Sequence, residues 1–156
     1  MPIVAAGCDD GTIHILHLEQ QKVLAKLNGH TDTVEALCWY VDSSIALLIS
    51  GSLDGQIAIW NGQTYECRIK KEEHMADGGI VKLLMHPNGL PYCITSSTDN
   101  TMRVYEVRTG DCLQTLTGHS DGVLDISAVK TGAGPNFRVA SASDDSSVKV
   151  WEIGAI

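Results

Sequence analysis

Three histidines in this chain each recur with a hydroxyl residue and an aspartate, the residue types that hydrolases combine in a catalytic triad. The first set is His30, Ser50 and Asp54. The same types return in two later sets, His74 with Thr95 and Asp99, and His119 with Ser141 and Asp145. An enzyme carries one triad, whereas these sets repeat along the chain. The repetition favours a structural role, and the sequence predicts no catalytic residue.

The remaining polar residues do not have the spacing of a metal or cofactor site. The histidines include no HxxxH or HExxH pair, and a strand would place His14 and His17 on opposite faces. No glycine-rich phosphate loop is present. The cysteines are scattered, odd in number and without a CxxC pair: Cys8, Cys38, Cys67, Cys93 and Cys112. We expect reduced thiols of an intracellular protein, cytoplasmic or nuclear, with no metal and no cofactor.

Composition limits the classes of partner. The chain has 156 residues, 44% of them hydrophobic, which is typical of a globular protein, and no apolar run approaches the ~20 residues of a membrane-spanning helix. The net charge is −8, so the basic surface that binds nucleic acid is missing. We therefore expect no direct nucleic-acid or membrane binding. An acidic surface favours basic proteins or peptides, although the same charge is also explained by solubility alone.

A short apolar strand that begins after an aspartate and ends on an aromatic residue occurs three times. The copies are Asp54 to Trp60, Asp99 to Tyr105 and Asp145 to Trp151, and a weaker copy runs from Asp10 to Leu16. The aspartates at positions 10, 54, 99 and 145 are 44, 45 and 46 residues apart. A fixed period of this size predicts a repeat architecture, in which each unit packs only against its neighbours.

Apolar runs of five to eight residues, bounded by Gly, Asp, Asn or Pro, predict strands in every unit. The units span about 1–28, 29–72, 73–117 and 118–156 and contain three, four, four and three strands. Four-stranded units at this spacing are blades of a β-propeller. The predicted fold class is all-β, a partial propeller of about 3.5 antiparallel blades. The first unit lacks its innermost strand and the last lacks its outermost.

The ends of the units carry a family resemblance. Gly29-His30 leads to Trp60, Gly118-His119 leads to Trp151, and Glu73-His74 leads to Tyr105. This pattern resembles the WD-repeat family, in which a Gly-His pair opens the unit and Trp-Asp closes it. The resemblance covers essentially the whole chain. It implies a propeller that serves as a non-catalytic protein–protein interaction scaffold.

The resemblance also implies a role for the repeated polar residues. In the family, the histidine, the hydroxyl, the turn aspartate and the aromatic residue form a buried hydrogen-bond chain. Buried groups of these types are tolerated only when they satisfy one another. The implied sets are His30, Ser50, Asp54 and Trp60; His74, Thr95, Asp99 and Tyr105; and His119, Ser141, Asp145 and Trp151. Tyr105 replaces the tryptophan in the third unit, and only Asp10 survives in the first.

Binding in such a fold is expected on the loops of one rim. The candidate residues precede the turn aspartates or lie in the loops that lead into the first strands. They are Asp9, Thr31, Asp32, Thr33, Leu53, Asp77, Thr98, Ser120, Asp121 and Asp144. The set is largely acidic. It predicts either a docking face for a basic peptide or protein, or an ordinary solvated surface.

A narrower likeness concerns the last two or three units. The segments Gly79 to Leu84, Arg108 to Asp111, Thr117 to Ser120 and Lys149 to Trp151 are similar to the C-terminal half of the angio-associated migratory cell protein subfamily. That likeness implies a chaperone for a basic ribosomal protein, in ribosome biogenesis. A substrate-receptor module of a ubiquitin ligase is a further alternative for this fold.

The incomplete first and last units have two explanations. Propellers of this family usually need roughly 300 residues. We expect the chain to belong to a longer protein that carries about three further blades upstream. The alternative is self-association of two copies.

Overall fold

The computed structural model describes residues 2–72, 74 and 78–154, and folds them into four antiparallel sheets. We call these sheets blades 1 to 4. Blade 1 has β1 (Ile3–Gly7), β2 (Ile13–His17) and β3 (Lys22–Leu27). Blade 2 has β4 (Val34–Val41), β5 (Ala46–Ser52), β6 (Gln56–Asn61) and β7 (Cys67–Glu72). Blade 3 has β8 (Ile80–Met85), β9 (Tyr92–Ser97), β10 (Met102–Glu106) and β11 (Cys112–Leu116). Blade 4 has β12 (Val123–Lys130), β13 (Phe137–Ser143) and β14 (Val148–Ile153).

Each blade is a meander in which strands adjacent in sequence are hydrogen-bonded neighbours. This arrangement confirms the predicted all-β fold of three- and four-stranded antiparallel sheets. Strands β4 and β12 have eight residues each. Near the end of β4 the ring of Tyr40 is buried, and Tyr40 pairs with Leu47 across the hairpin.

A tight turn around the repeated aspartate joins the middle strands of every blade. The residue after the aspartate has positive φ in all four copies: Gly11 at 80°, Gly55 at 77°, Asn100 at 71° and Ser146 at 65°. Glycine and asparagine adopt this left-handed conformation at low cost. The aspartate side chain closes the turn, as where Asp54 Oδ1 accepts a hydrogen bond from the Gln56 amide at 2.9 Å.

The core consists of apolar layers between neighbouring blades. Between blades 1 and 2, Ile13 and Ile15 pack with Leu48 and Trp60. Equivalent layers lie between blades 2 and 3, around Ile59 and Tyr105, and between blades 3 and 4. Each of these layers therefore buries one face of both adjoining blades, as the repeat period predicted.

The described residues contain no helix with the length and apolarity that a membrane crossing requires. The predicted rim residue Asp77 lies outside the described part of the chain.

Because the blades are closely packed, adding a single methyl group at their interface should lower the free energy of unfolding. A Cβ added to Gly51 would lie 2.5 Å from Cγ2 of the buried Ile80 in the next blade. We expect Gly51→Ala to lower the free energy of unfolding by about 1–3 kcal/mol because of overpacking. Ile80→Ala should cost less in the Gly51→Ala background than in the wild type. Chemical denaturation of the four proteins measures this coupling.

Gly134→Ala is the matched control, since a Cβ there meets nothing within 4 Å. A Gly51→Ala variant as stable as Gly134→Ala would contradict this description of the blade interface.

Candidate functional site

In blade 2 the first predicted polar set forms a continuous hydrogen-bond chain. His30 Nδ1 lies 3.0 Å from Asp54 Oδ2, and its Nε2 lies 2.7 Å from Ser50 Oγ. Trp60 Nε1 donates to the same Ser50 oxygen at 2.9 Å. Because a carboxylate only accepts, Nδ1 carries the proton and Nε2 of a neutral ring accepts from Ser50. The chain thus joins the entry loop to the two middle strands of the blade, β5 and β6, and to the turn between them.

The same geometry recurs in blade 4. His119 Nε2 lies 2.7 Å from Ser141 Oγ, Trp151 Nε1 donates to that oxygen at 2.8 Å, and His119 Nδ1 lies 2.8 Å from Asp145. The recurrence at matching distances in separate blades supports the structural interpretation of these sets.

Blades 3 and 1 depart from the pattern. In blade 3, His74 bridges Asp99 at 2.8 Å and Thr95 Oγ1 at 3.0 Å, and the buried Tyr105 takes the place of the indole. In blade 1 the chain is reduced to Asp10, which accepts hydrogen bonds from the amide and hydroxyl of Thr12.

Burial and hydrogen bonding set the charges within the sets. Burial lowers the pKa of His30, and the neighbouring Asp54 only partly offsets that effect. Burial opposes ionisation of Asp54, but amide hydrogen bonds from Thr31 and Gln56 and the contact with His30 outweigh it, so its pKa is lowered. Burial also raises the pKa of Asp99, but the hydrogen bond from the Thr101 hydroxyl and the contact with His74 outweigh burial and lower the pKa to about 2. At neutral pH, His30 is therefore neutral and these aspartates are ionised.

This geometry does not suit nucleophilic catalysis. Ser50 is fully buried, and its oxygen is already engaged by His30 and Trp60. A nucleophile has to reach its substrate, so the arrangement positions strands rather than a reacting atom.

A second set of recurring serines was missed by the sequence analysis. Ser52 Oγ accepts from the Asp54 amide at 3.1 Å and donates to the Asp32 carbonyl at 2.9 Å. In blade 4, Ser143 likewise accepts from the Asp145 amide and donates to the Asp121 carbonyl. In blade 3, Ser97 accepts from the Asp99 amide. A serine two residues before each of these turn aspartates was a visible signal.

Two polar contacts between blades were also missed. The Tyr40 hydroxyl donates to Asp42 at 2.8 Å, and Arg108 of blade 3 binds both residues. Between blades 3 and 4, His86 Nε2 donates to the Pro135 carbonyl at 2.7 Å. Neither contact repeats between units, so the period of the sequence gave no signal for them.

The predicted rim residues in the described part of the chain lie at loops on one edge of the blades, and nearly all are exposed. Thr33 is half-buried, and the remainder are exposed: Asp9, Thr31, Asp32, Leu53, Thr98, Ser120, Asp121 and Asp144. The Thr98 side chain is engaged, because its hydroxyl accepts a hydrogen bond from the Gly79 amide at 2.9 Å.

Contacts between neighbouring loops make this rim continuous. Thr33 Oγ1 reaches the Asp9 carbonyl of blade 1 at 3.3 Å. Gly79 of blade 3 packs against Leu53 of blade 2, and Gly122 of blade 4 packs against Thr98 of blade 3. The structure thus brings the rim residues of all four blades onto one surface, which we call the acidic rim.

Within residues 2–72, 74 and 78–154, no group of three or more His, Cys, Asp or Glu side chains is placed to hold a metal ion. The five cysteines are free thiols.

Comparison with known protein families also identifies repeated units in this chain. The family model described as "WD domain, G-beta repeat" matches residues 21–61 and 110–152, together more than half of the chain. The chain belongs to the WD-repeat family. The two matched segments contain most of blades 2 and 4, where the hydrogen-bond chains are complete.

Three relatives illustrate the range of WD-repeat proteins that this chain resembles. It is 33% identical to apoptotic protease-activating factor 1 of Danio rerio over 83% of this chain and 10% of the relative. It is 29% identical to COMPASS component SWD3 of Saccharomyces cerevisiae over 96% of this chain and 47% of the relative. It is 26% identical to guanine nucleotide-binding protein subunit beta-like protein 1 of Mus musculus over 97% of this chain and 44% of the relative.

The chain spans less than half the length of each of these relatives. WD-repeat proteins typically serve as scaffolds for protein interactions, which agrees with the general function expected from the sequence. These relatives do not support the narrower likeness to the angio-associated migratory cell protein subfamily.

The hydrogen-bond chain predicts opposite effects for one substitution at two serines. Ser50 and Ser96 are both fully buried. Ser50→Ala removes the partner of His30 and Trp60, and should lower the free energy of unfolding by about 2–4 kcal/mol. The Ser96 hydroxyl meets no partner among the described residues, so Ser96→Ala should be neutral or stabilising. Urea denaturation measures both, and equal losses would contradict the assignment.

The free energy of unfolding should decrease in two stages as the pH is lowered. The pKa of His30 is lowered, so the unfolded chain binds a proton first, and stability is lost as pH falls below the ordinary value of about 6.5. The lowered pKa values of Asp54, Asp99 and Asp145 add a second loss as pH falls from about 4 towards 2. Denaturation between pH 8 and 2 should show both.

His30→Gln should flatten the first stage and leave the second in place. An unchanged slope between about pH 7 and 5 in that variant would show that the first stage has another origin.

Proposed function

We propose that this chain is a non-catalytic interaction module that docks a basic peptide or protein segment on the acidic rim. The continuity of the rim carries the proposal. Exposed loops of four blades meet on one surface, and their carboxylates belong to Asp9, Asp32, Asp121 and Asp144.

The charge balance supports a basic partner. With a net charge of −8, the chain repels nucleic acid and anionic lipid, and attracts Lys- and Arg-rich segments. Leu53 adds an apolar contact beside these carboxylates, since its side chain is exposed within the rim. An apolar contact surrounded by charge is a common arrangement for peptide docking.

The same surface suits the narrower alternative of a chaperone for a basic ribosomal protein, which would be one dominant, charge-guided client. A ubiquitin-ligase substrate receptor remains a prediction from the fold class alone. A location in the cytoplasm or nucleus is proposed on the same basis, together with the free thiols.

Charge reversal tests the rim directly. Asp9→Lys, Asp32→Lys, Asp121→Lys and Asp144→Lys in one protein should abolish capture of basic partners from a cell extract. Capture by the wild type should weaken as salt rises, because exposed charges are screened. The measurement is affinity purification at low and high salt, with the bound proteins identified by mass spectrometry.

A second protein keeps the net charge equal but changes exposed acids away from the rim, at Glu19, Glu66, Asp111 and Glu152. It should bind as the wild type does. An equal loss of binding in the rim variant and the control variant would show that net charge alone explains the binding. Capture of basic partners by the rim variant at high salt would show that the acidic rim is not the docking surface. A single basic client would favour the chaperone, and several partners would favour a general scaffold.

A further inference from the structure

The sequence contains three asparagine–glycine pairs, and the structure holds them differently. The pairs are Asn28-Gly29, Asn61-Gly62 and Asn88-Gly89. In such a pair the side-chain amide can react with the next backbone nitrogen, because glycine has no Cβ to obstruct the approach. The reaction needs a mobile side chain and a free backbone amide, so hydrogen bonds to either group slow it. Since the three pairs share their chemistry, any difference in their reactivity has to come from the structure.

In the second pair both reacting groups are engaged. The Asn61 side-chain oxygen accepts hydrogen bonds from the amides of Gln63 and Thr64, at 2.8 and 3.0 Å. The Gly62 amide donates to the Ala46 carbonyl at 2.8 Å. The Asn61 side chain therefore has to break these bonds before it can turn towards the Gly62 nitrogen.

The third pair is held in a comparable way. Asn88 Nδ2 donates to the carbonyls of Gly132 and Gly134, at 2.8 and 2.9 Å. The Gly89 amide donates to the His86 carbonyl at 2.9 Å. These bonds tie the turn of blade 3 to a loop of blade 4, so reaction at Asn88 requires both segments to open.

The first pair has neither restraint. Asn28 is exposed, in the segment that joins β3 of blade 1 to β4 of blade 2. Among the residues that the structure describes, neither the Asn28 side-chain amide nor the Gly29 backbone amide has a hydrogen-bond partner. Both reacting groups are therefore available in the folded protein.

We propose that Asn28 is a site of spontaneous deamidation and that its isoaspartate product loosens blade 2. The Gly29 nitrogen attacks Cγ of Asn28 and forms a C–N bond, and the side-chain nitrogen leaves as ammonia with the proton of the Gly29 amide. Water then opens the resulting succinimide. Opening at Cγ leaves an aspartate, and opening at the main-chain carbonyl leaves an isoaspartate. The net change consumes water and releases ammonia, without oxidation or reduction.

The position of Gly29 makes the isoaspartate disruptive, because that product carries an additional methylene in the main chain just before Gly29. A Cβ added to Gly29 would lie 2.8 Å from Cη2 of Trp60, so the space beside that ring is already filled. The Gly29 carbonyl accepts a hydrogen bond from Lys70 Nζ. His30, the next residue, begins the hydrogen-bond chain of blade 2. Lengthening the main chain here therefore displaces His30 from its partners. This inference does not rest on the proposed function.

Peptide mapping of the folded protein tests the reaction. The purified chain is incubated at mildly alkaline pH, digested and analysed by mass spectrometry for the mass shift that replacing NH2 by OH produces. Asn28 should convert roughly tenfold faster than Asn61 and Asn88, or more, because hydrogen bonds must open at those two. The same incubation in urea is the control, and there the three pairs should react at similar rates. Equal rates in the folded protein, or reaction of Asn28 only in urea, would overturn the proposal.

Hydrogen exchange in the aged protein tests the structural consequence. Once an isoaspartate-specific methyltransferase detects the product, Trp60 Nε1 should exchange severalfold faster than in fresh protein, and Trp151 Nε1 in blade 4 should be unchanged. Aged Asn28→Gln should keep its protection, because glutamine would have to close a larger ring. Fresh Asn28→Asp should also keep it, because the charge changes while the main chain keeps its length. Unchanged exchange at Trp60 after isoaspartate has formed, or equally fast exchange in fresh Asn28→Asp, would contradict the proposed effect on blade 2.

Discussion

The fold depends on one constraint: a twisted sheet of three or four strands has two faces, and each face needs another sheet to cover it. At the three interfaces within this chain, the cover is the adjacent blade. Ile15 and Trp60 illustrate the contact, since they lie in different blades and in the same buried layer. Stability in such an array is a sum of units and interfaces. A defect at one interface, such as a methyl group on Gly51, therefore acts on two blades at once.

The buried hydrogen-bond chains solve a problem that apolar stacking leaves open. Apolar contacts tolerate small shifts, whereas a buried imidazole between a carboxylate and a hydroxyl does not, because each lost bond leaves a desolvated polar group. His30 and His119 thereby fix the entry loop of a blade relative to its middle strands. The loops held in this way are the ones that carry the acidic rim. A rigid interior thus supports the exposed loops of the acidic rim.

Much of this organisation could be predicted from the sequence because it repeats. The aspartate period located the turns, and the alternation of apolar residues located the strands. The sets around Ser50, Thr95 and Ser141 required the family resemblance, because nothing in their spacing alone shows that they meet. The contact of Arg108 with Tyr40, and that of His86 with Pro135, could not be predicted. They join residues far apart in sequence, and each occurs once.

The central claim is that the recurring polar sets are buried structural bonds. Hydrogen exchange at the three indole Nε1 protons tests it most directly, because Trp60 and Trp151 belong to the sets and Trp39 does not. The account predicts that the protons of Trp60 and Trp151 exchange only when their blades unfold, far more slowly than that of Trp39. Equally fast exchange at all three would show that the bonds to Ser50 and Ser141 do not hold the blades.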